Sequence, residues 1–321
     1  MSVFVAEELS EVLNTKVVIG RINMGLLNRI IIDDVLLDDQ SGQEMLKVTR
    51  LSAKFDIMPF FKGKISISSV QLFGFNINLR KETPDSPPNF KFVLDAFASK
   101  DTVKKENSLD LRINSILIRR GRMSYHVLSE EETPGKFNAK HIQLQNIIAN
   151  ISLKALSKDS LNLGIKRLSL DEKASGFSLK KMSLKLVANN KQTNIDNFTI
   201  ELPETSLKLD TIHLEYDSLK AFDRFTEQVH FSFRTLPSQV TLKDISPFVP
   251  ILSHFKEPVT LDMEVKGTVD QLTCSHLEIT ADDRQFRLRG DVSLQDLSHP
   301  QDAYVYGTLS CLLYTSPSPR D

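Results

Sequence analysis

The residues able to do chemistry are the histidines, the paired aspartates and one arginine cluster, and their spacing decides what they can do. A zinc site needs imidazoles and carboxylates brought to one place, as in His-Glu-X-X-His on a helix. His126, His141, His213, His230, His254, His276 and His299 show no such spacing, and the sequence predicts no metal site. It also lacks a Gly-X-Ser-X-Gly elbow, a phosphate loop ending in Gly-Lys-Ser/Thr and a dinucleotide-binding glycine pattern. Hydrolase, nucleotidase and dehydrogenase chemistry therefore lose the residues that carry them. The expectation is a protein that is not an enzyme, with no catalytic residue and no cofactor.

Asp33-Asp34 and Asp38-Asp39 with Gly42 lack the alternating ligands and terminal glutamate of a calcium loop, and read as solvated hairpin turns. Glu130-Glu131-Glu132 before Thr133-Pro134-Gly135 reads as a loop tip. Arg119-Arg120-Gly121-Arg122 lies in strand-like text, where protection of a sheet edge accounts for it as well as contact with lipid headgroups does.

The elements that must position these residues are mostly strands. The 321 residues are enough for about two domains, and 40% of them are hydrophobic, enough for a sizeable core. Lys plus Arg number 40 against 41 Asp plus Glu, so no net field favours nucleic acid as a partner. There is no Trp, and Phe outnumbers Tyr nineteen to five, so the buried aromatics mostly lack a polar handle. No run approaches the ~18 apolar residues of a membrane span. The first residues carry Glu7, Glu8 and Glu11 in place of the basic start of a signal peptide.

Val5, Leu9, Val12 and Leu13 recur at helical spacing, predicting an amphipathic helix over 3–13 ended by Asn14-Thr15. From Val17 onward the period is near two. Over 64–80 the residues Ile65, Ile67, Phe73, Phe75, Ile77 and Leu79 share one parity, and over 109–127 Leu109, Leu111, Ile113, Leu117 and Met123 repeat it. The two stretches are a weak internal repeat 46 residues apart, Ile67 to Ile113. In each, alternation falters, at Val70 and Leu72 or at Ile116 and Ile118, which predicts a bulge or a covered outer face. Residues 81–105, with Pro84, Pro87 and Pro88, read as a loop followed by a short helix. Strand signals continue to Ser310, interrupted by helical text at 218–227 and by Pro-broken text at 242–255, each placed to cap a sheet end.

The domain reading is 1–100 for the first helix, strands and connector, and 101–310 for continuing repetitive β-structure with a joint near 242–255. Residues 311–321, from Cys311 to Asp321, resemble the translation of a transposase sequencing adapter and are read as foreign to the native protein. Cys274 then stands as a lone thiol in the core.

Several ordered blocks carry a family resemblance: residues 13–20 (LNTKVVIG), 28–35 (NRIIIDDV), 66–72 (SISSVQL), 89–97 (NFKFVLDAF), 247–250 (PFVP) and 265–270 (VKGTVD). They resemble the N-terminal region of the TamB-like translocation and assembly module proteins, in the AsmA-like superfamily. The resemblance implies a mainly β fold, an elongated, curled, largely antiparallel open sheet with an N-terminal amphipathic helix and a few short helices. It implies a periplasmic location in a diderm envelope, inner-membrane anchoring through an N-terminal helix absent from this sequence, and a TamA-like outer-membrane partner met through an absent C-terminal region.

On that footing the apolar parity becomes a candidate lipid groove: Ile65, Ile67, Phe73, Phe75, Ile77, Leu79, Leu109, Leu111, Ile113, Leu117 and Met123. Its partners would be phospholipid acyl chains, guided toward the outer membrane. Alternation alone fits a closed two-layer core as well. A protein-assembly scaffold that chaperones outer-membrane proteins through exposed sheet edges is the alternative from a different class.

Overall fold

The computed structural model describes residues 2–26, 28–55, 67–98, 114–156, 160–281, 286–297 and 303–313. The chain divides into two compact units, one made of 1–153 and 167–178, the other of 154–166 and 179–321. It is mainly β and its strands pair largely antiparallel, with an N-terminal helix and a few short helices, as the period-two text predicts.

In the first unit α1 (Ser2–Leu13) leads into β1 (Val17–Gly25), β2 (Arg29–Asp38), β3 (Glu44–Phe55) and β4 (Ile67–Lys81). After α2 (Lys91–Ala98) come β5 (Ser115–Val127), β6 (His141–Leu156) and the latter part of β7 (Ser160–Glu172). Helix α1 ends because Asn14 takes the left-handed conformation (φ 48°), which asparagine tolerates, and Thr15 N donates to the Ser10 carbonyl. Ser10 Oγ then accepts from Val17 N at 3.0 Å, which sets the angle at which β1 leaves the helix.

Strands β1 to β4 pair in sequence order as antiparallel neighbours, and β5 pairs antiparallel with β6. Strands β4 and β5 run parallel, which requires a crossover, and the connector with α2 supplies it. Their register is Ser69 to Ser115 and Lys81 to Val127, a constant offset of 46. The internal repeat seen in the sequence is thus two strands lying side by side with equivalent residues paired.

Asn89 hooks the connector back onto β4. Its Nδ2 donates to the Asn78 carbonyl and its Oδ1 accepts from Arg80 N. That anchor seats Phe90, Phe92 and Val93 beside Val5, Ala6 and Leu13 of α1, over Val17, Ile19, Leu37 and Met45. The two helices therefore cover one end of the sheet's apolar face.

A single extra residue in each of β1 to β6 shapes this face. Inward residues follow a spacing of two, then step by three, at one level across β1 to β5: Ile19 to Ile22, Ile32 to Val35, Val48 to Leu51, Leu72 to Phe75, and Ile118 to Gly121; β6 takes its step, Leu144 to Ile147, one pair further along, opposite Met123 and Gly121. At that level Asp34, Gly74 and Arg120 have φ of 57°, 65° and 55°, and Asn146, at the step in β6, has φ 55°. Asp34, Thr49, Gly74 and Arg120 also lie opposite one another in the register. An extra left-handed residue in one strand alone would slip its pairing. Carried at one level by β1 to β5, the extra residue keeps their register and inverts their parity together, while the β5–β6 register shifts on either side of Gly121. The faltering alternation at Val70, Leu72, Ile116 and Ile118 is this crease.

The second unit continues with β8 (Ser178–Asn189), β9 (Gln192–Glu201), β10 (Ser206–Lys208), β11 (Ile212–Glu215), β12 (His230–Arg234), β13 (Ser238–Val240), β14 (Val259–Gly267), β15 (Gln271–Ala281), β16 (Phe286–Gln295) and β17 (Tyr304–Leu313). Both β10 and β11 pair with β9, and both β12 and β13 with β14, so each couple is one interrupted strand. The step of three recurs at Asn197 (φ 53°), between Ile195 and Phe198, and at His276 (φ 57°), between Cys274 and Leu277.

The helical text at 218–227 forms a 3-10 turn, Leu219–Arg224, running into the short helix Phe225–Gln228. It packs Ala221 and fully buried Val229 on Tyr216, whose Oη donates to the Asn189 carbonyl and hydrogen-bonds Thr193 Oγ1. The Pro-broken text yields the 3-10 turns Leu242–Ile245 and Pro250–His254, inside the second unit. The strands flanking the sequence-predicted boundary at residue 100 pair with each other. Residues 311–313 extend β17 along β16, a backbone pairing that asks little of side-chain identity.

Candidate functional site

Around Phe75 the first unit gathers its second apolar cluster. Val48, Phe75 and Ile147 are buried, ringed by Val35, Leu46, Leu51, Leu72, Ile77, Ile118, Met123, Leu144 and Leu170. Every one of these residues comes from a strand, β2 through β7, and none from a helix. The crease makes this continuity possible, because inverting the parity puts Leu72 and Ile118 on the same face as Phe75, Ile77 and Met123. Without it the apolar run would change faces midway along each strand.

The structure divides the groove residues read from alternation. Phe75, Ile77 and Met123 sit in this cluster, and half-buried Leu79 continues the parity of Ile77. Phe73 adjoins inward Leu72 and Leu117 adjoins inward Ile118, so both point to the opposite face. There they line a cavity with Thr49, Arg50, Gln71 and Arg119, which Leu72 also borders. Ile67 is half-buried and pairs with Phe55 across a bulge. Ile65, Leu109, Leu111 and Ile113 lie outside the described residues. The inward residues that simple alternation misses, Val35, Leu51, Leu72, Ile118 and Ile147, are signalled by the step of three.

The opposite face carries charge. Arg120 stacks over the Phe73 ring, 5.1 Å from its centroid, and Arg119, Arg120 and Arg122 are all exposed. Strand β5 is flanked by β4 and β6, so edge protection does not explain this cluster. Arg50 Nε donates to Asp33 Oδ1 at 2.6 Å. That hydrogen bond, outweighing burial, holds the Asp33 carboxyl below the usual aspartate range.

Two of the four aspartates expected in solvated turns, Asp33 and Asp39, are buried structural acceptors. Asp33 and Asp34 lie within β2, at the crease, and Asp39 is 2% exposed in the β2–β3 turn. Asp39 Oδ1 accepts from Ser41 N, Ser41 Oγ and Gln43 N, while Oδ2 accepts from Arg80 Nη2 and Asn89 Nδ2. Burial alone would raise its pKa, but these hydrogen bonds outweigh it and the pKa is lowered. Glu172 repeats the arrangement at the end of β7: burial opposes its charge, and donors from Ser175, Gln143 and Ala174 prevail, lowering its pKa.

At the end of β5 and β6 the hairpin register sets His126 opposite His141, and Glu132 of the connecting loop lies beside them. One ligand atom from each falls within 4.8 Å of the other two. The spacings, fifteen residues from His126 to His141 and six to Glu132, carry no sequence signature, because the juxtaposition depends on the register of a long hairpin. In the second unit Cys274 is buried, and its thiol pKa is raised by burial and by the charge of Asp291.

Among the described residues no helix is long and apolar enough to cross a membrane. No protein-family model matches the chain, and no curated protein matches it.

Proposed function

We propose that this chain is a non-enzymatic part of a cell-envelope protein, and that the creased face of its first unit guides phospholipid acyl chains through the periplasm toward the outer membrane. The observation that carries the reading is the composition of the Phe75 cluster. Its lining is aliphatic and aromatic, spans six strands, and includes no described residue from a second layer. Moving an acyl chain of roughly sixteen carbons through water costs on the order of 13 kcal/mol, at about 0.8 kcal/mol per methylene. A trough of Leu, Ile, Val, Phe and Met removes much of that barrier. Because the lining offers few polar anchors, neighbouring positions along it differ little in energy and a chain can slide. The resemblance to TamB-like proteins supports the same reading and supplies its setting: inner-membrane anchoring and a TamA-like partner.

The test is site-specific photocrosslinking in the protein as it stands in its native envelope, with the photoreactive residue at Met123 on the apolar face or at Leu117 on the other. Phospholipid adducts at Met123 and none at Leu117 are expected. Only intramolecular crosslinks at Met123 would mean a closed core and would overturn the reading. Captured polypeptide would replace it with the protein-assembly scaffold.

A further inference from the structure

We propose that His126, His141 and Glu132 bind one divalent transition-metal ion, with zinc the best match to the donors. The inference stands apart from the lipid reading and uses the hairpin end of the first unit alone. His141 is 7% exposed, and its Nε2 lies 2.9 Å from the Glu130 carbonyl oxygen. A carbonyl only accepts, so Nε2 carries the proton, and in the neutral ring Nδ1 presents a bare lone pair. That lone pair faces His126 Nδ1 at 3.0 Å. A ring nitrogen donating to a backbone carbonyl while the other faces a ligand is the usual support for a metal-bound histidine.

The geometry is close to what zinc needs. Two nitrogens bound at about 2.0–2.1 Å in a tetrahedron stand roughly 3.3 Å apart, so replacing the proton between the rings by an ion separates them by a few tenths of an ångström. Glu132 Oε1 is 3.9 Å from His126 Nδ1, and its side chain is 60% exposed, so it has room to close in. Two imidazoles and a carboxylate leave a fourth position for water and suit zinc, not calcium or magnesium, which prefer all-oxygen shells. Binding would fasten the loop between β5 and β6 to the strands that flank it. Lys140, at the end of that loop, is paired with Glu130 and does not set an unbalanced charge against the ion.

The experiment is zinc titration of the tag-free, chelator-treated chain by calorimetry, with thermal unfolding recorded with and without zinc. The expected result is one saturable zinc per chain and a higher unfolding temperature with zinc. Both should be lost in His126→Ala and weakened in Glu132→Gln, whose side chain is exposed and whose fold is checked by circular dichroism. Absence of a saturable zinc step, or a step unchanged in both variants, would overturn the proposal.

Discussion

The Phe75 ring covers the bare backbone of Gly121: a β-carbon on Gly121 would stand 2.4 Å from Phe75 Cζ and 3.0 Å from Ile147 Cβ. Gly121 is the residue at which β5 would otherwise set an inward side chain, one residue past left-handed Arg120. An aromatic ring from the neighbouring strand fills the vacancy that a glycine leaves in a sheet. Phe75 is itself buried, so its ring has little freedom to withdraw. Gly121→Ala is expected to cost roughly 1–3 kcal/mol, the usual penalty of forcing an extra methyl into a close-packed contact. Urea unfolding of Gly121→Ala, Phe75→Leu and the double variant measures it. The double variant should lose less than the sum of the two, and strict additivity would show that ring and glycine are not coupled.

Much of this arrangement is legible in the sequence. The 46-residue repeat from Ile67 to Ile113 is the register offset of β4 and β5, and the faltering at Val70, Leu72, Ile116 and Ile118 marks the crease. What alternation does not supply is the consequence, that parity inverts there. It therefore groups Phe73 and Leu117 with Phe75 and Met123 although they occupy the other face. The histidine pair is illegible for a different reason. Cross-strand neighbours are fixed by register, and nothing in the loop text between the two strands states where β6 resumes. Asp39 reads as solvated, yet is buried, because its partners Arg80 and Asn89 lie far along the chain.

The crease itself can be probed at Gly74. Its φ is 65°, and the space beside it is taken by Thr49, whose Oγ1 would lie 2.7 Å from an added β-carbon, so alanine there meets two separate penalties. The left-handed conformation alone costs an L-residue about 1–2 kcal/mol. Gly74→Ala should therefore destabilise by at least that amount in denaturant unfolding. Adding Thr49→Ala should recover the steric part and leave the conformational part. Full recovery would mean that the backbone at 74 had left the left-handed region and that the crease does not depend on it.

Glu172 is one of the buried carboxylates, with Asp39, that should make the fold acid-sensitive. The residue is 3% exposed, and its carboxylate accepts from Ser175 Oγ and from Gln143 N at 2.9 Å, Ala174 N at 3.2 Å and Ser175 N at 2.6 Å. Burial opposes the charge, but these donors prevail, and the folded-state pKa lies below the ordinary glutamate value. For a depressed carboxylate the stabilisation is complete above the ordinary value and is lost as pH falls through the folded one. Glu172→Gln removes the titration and turns an amide N–H toward backbone donors, so it should be less stable at neutral pH by roughly 1–3 kcal/mol. The gap between the two proteins should narrow as the medium is acidified. Denaturant unfolding across a pH series measures both, and parallel curves for wild type and variant would show that Glu172 does not contribute to the acid response.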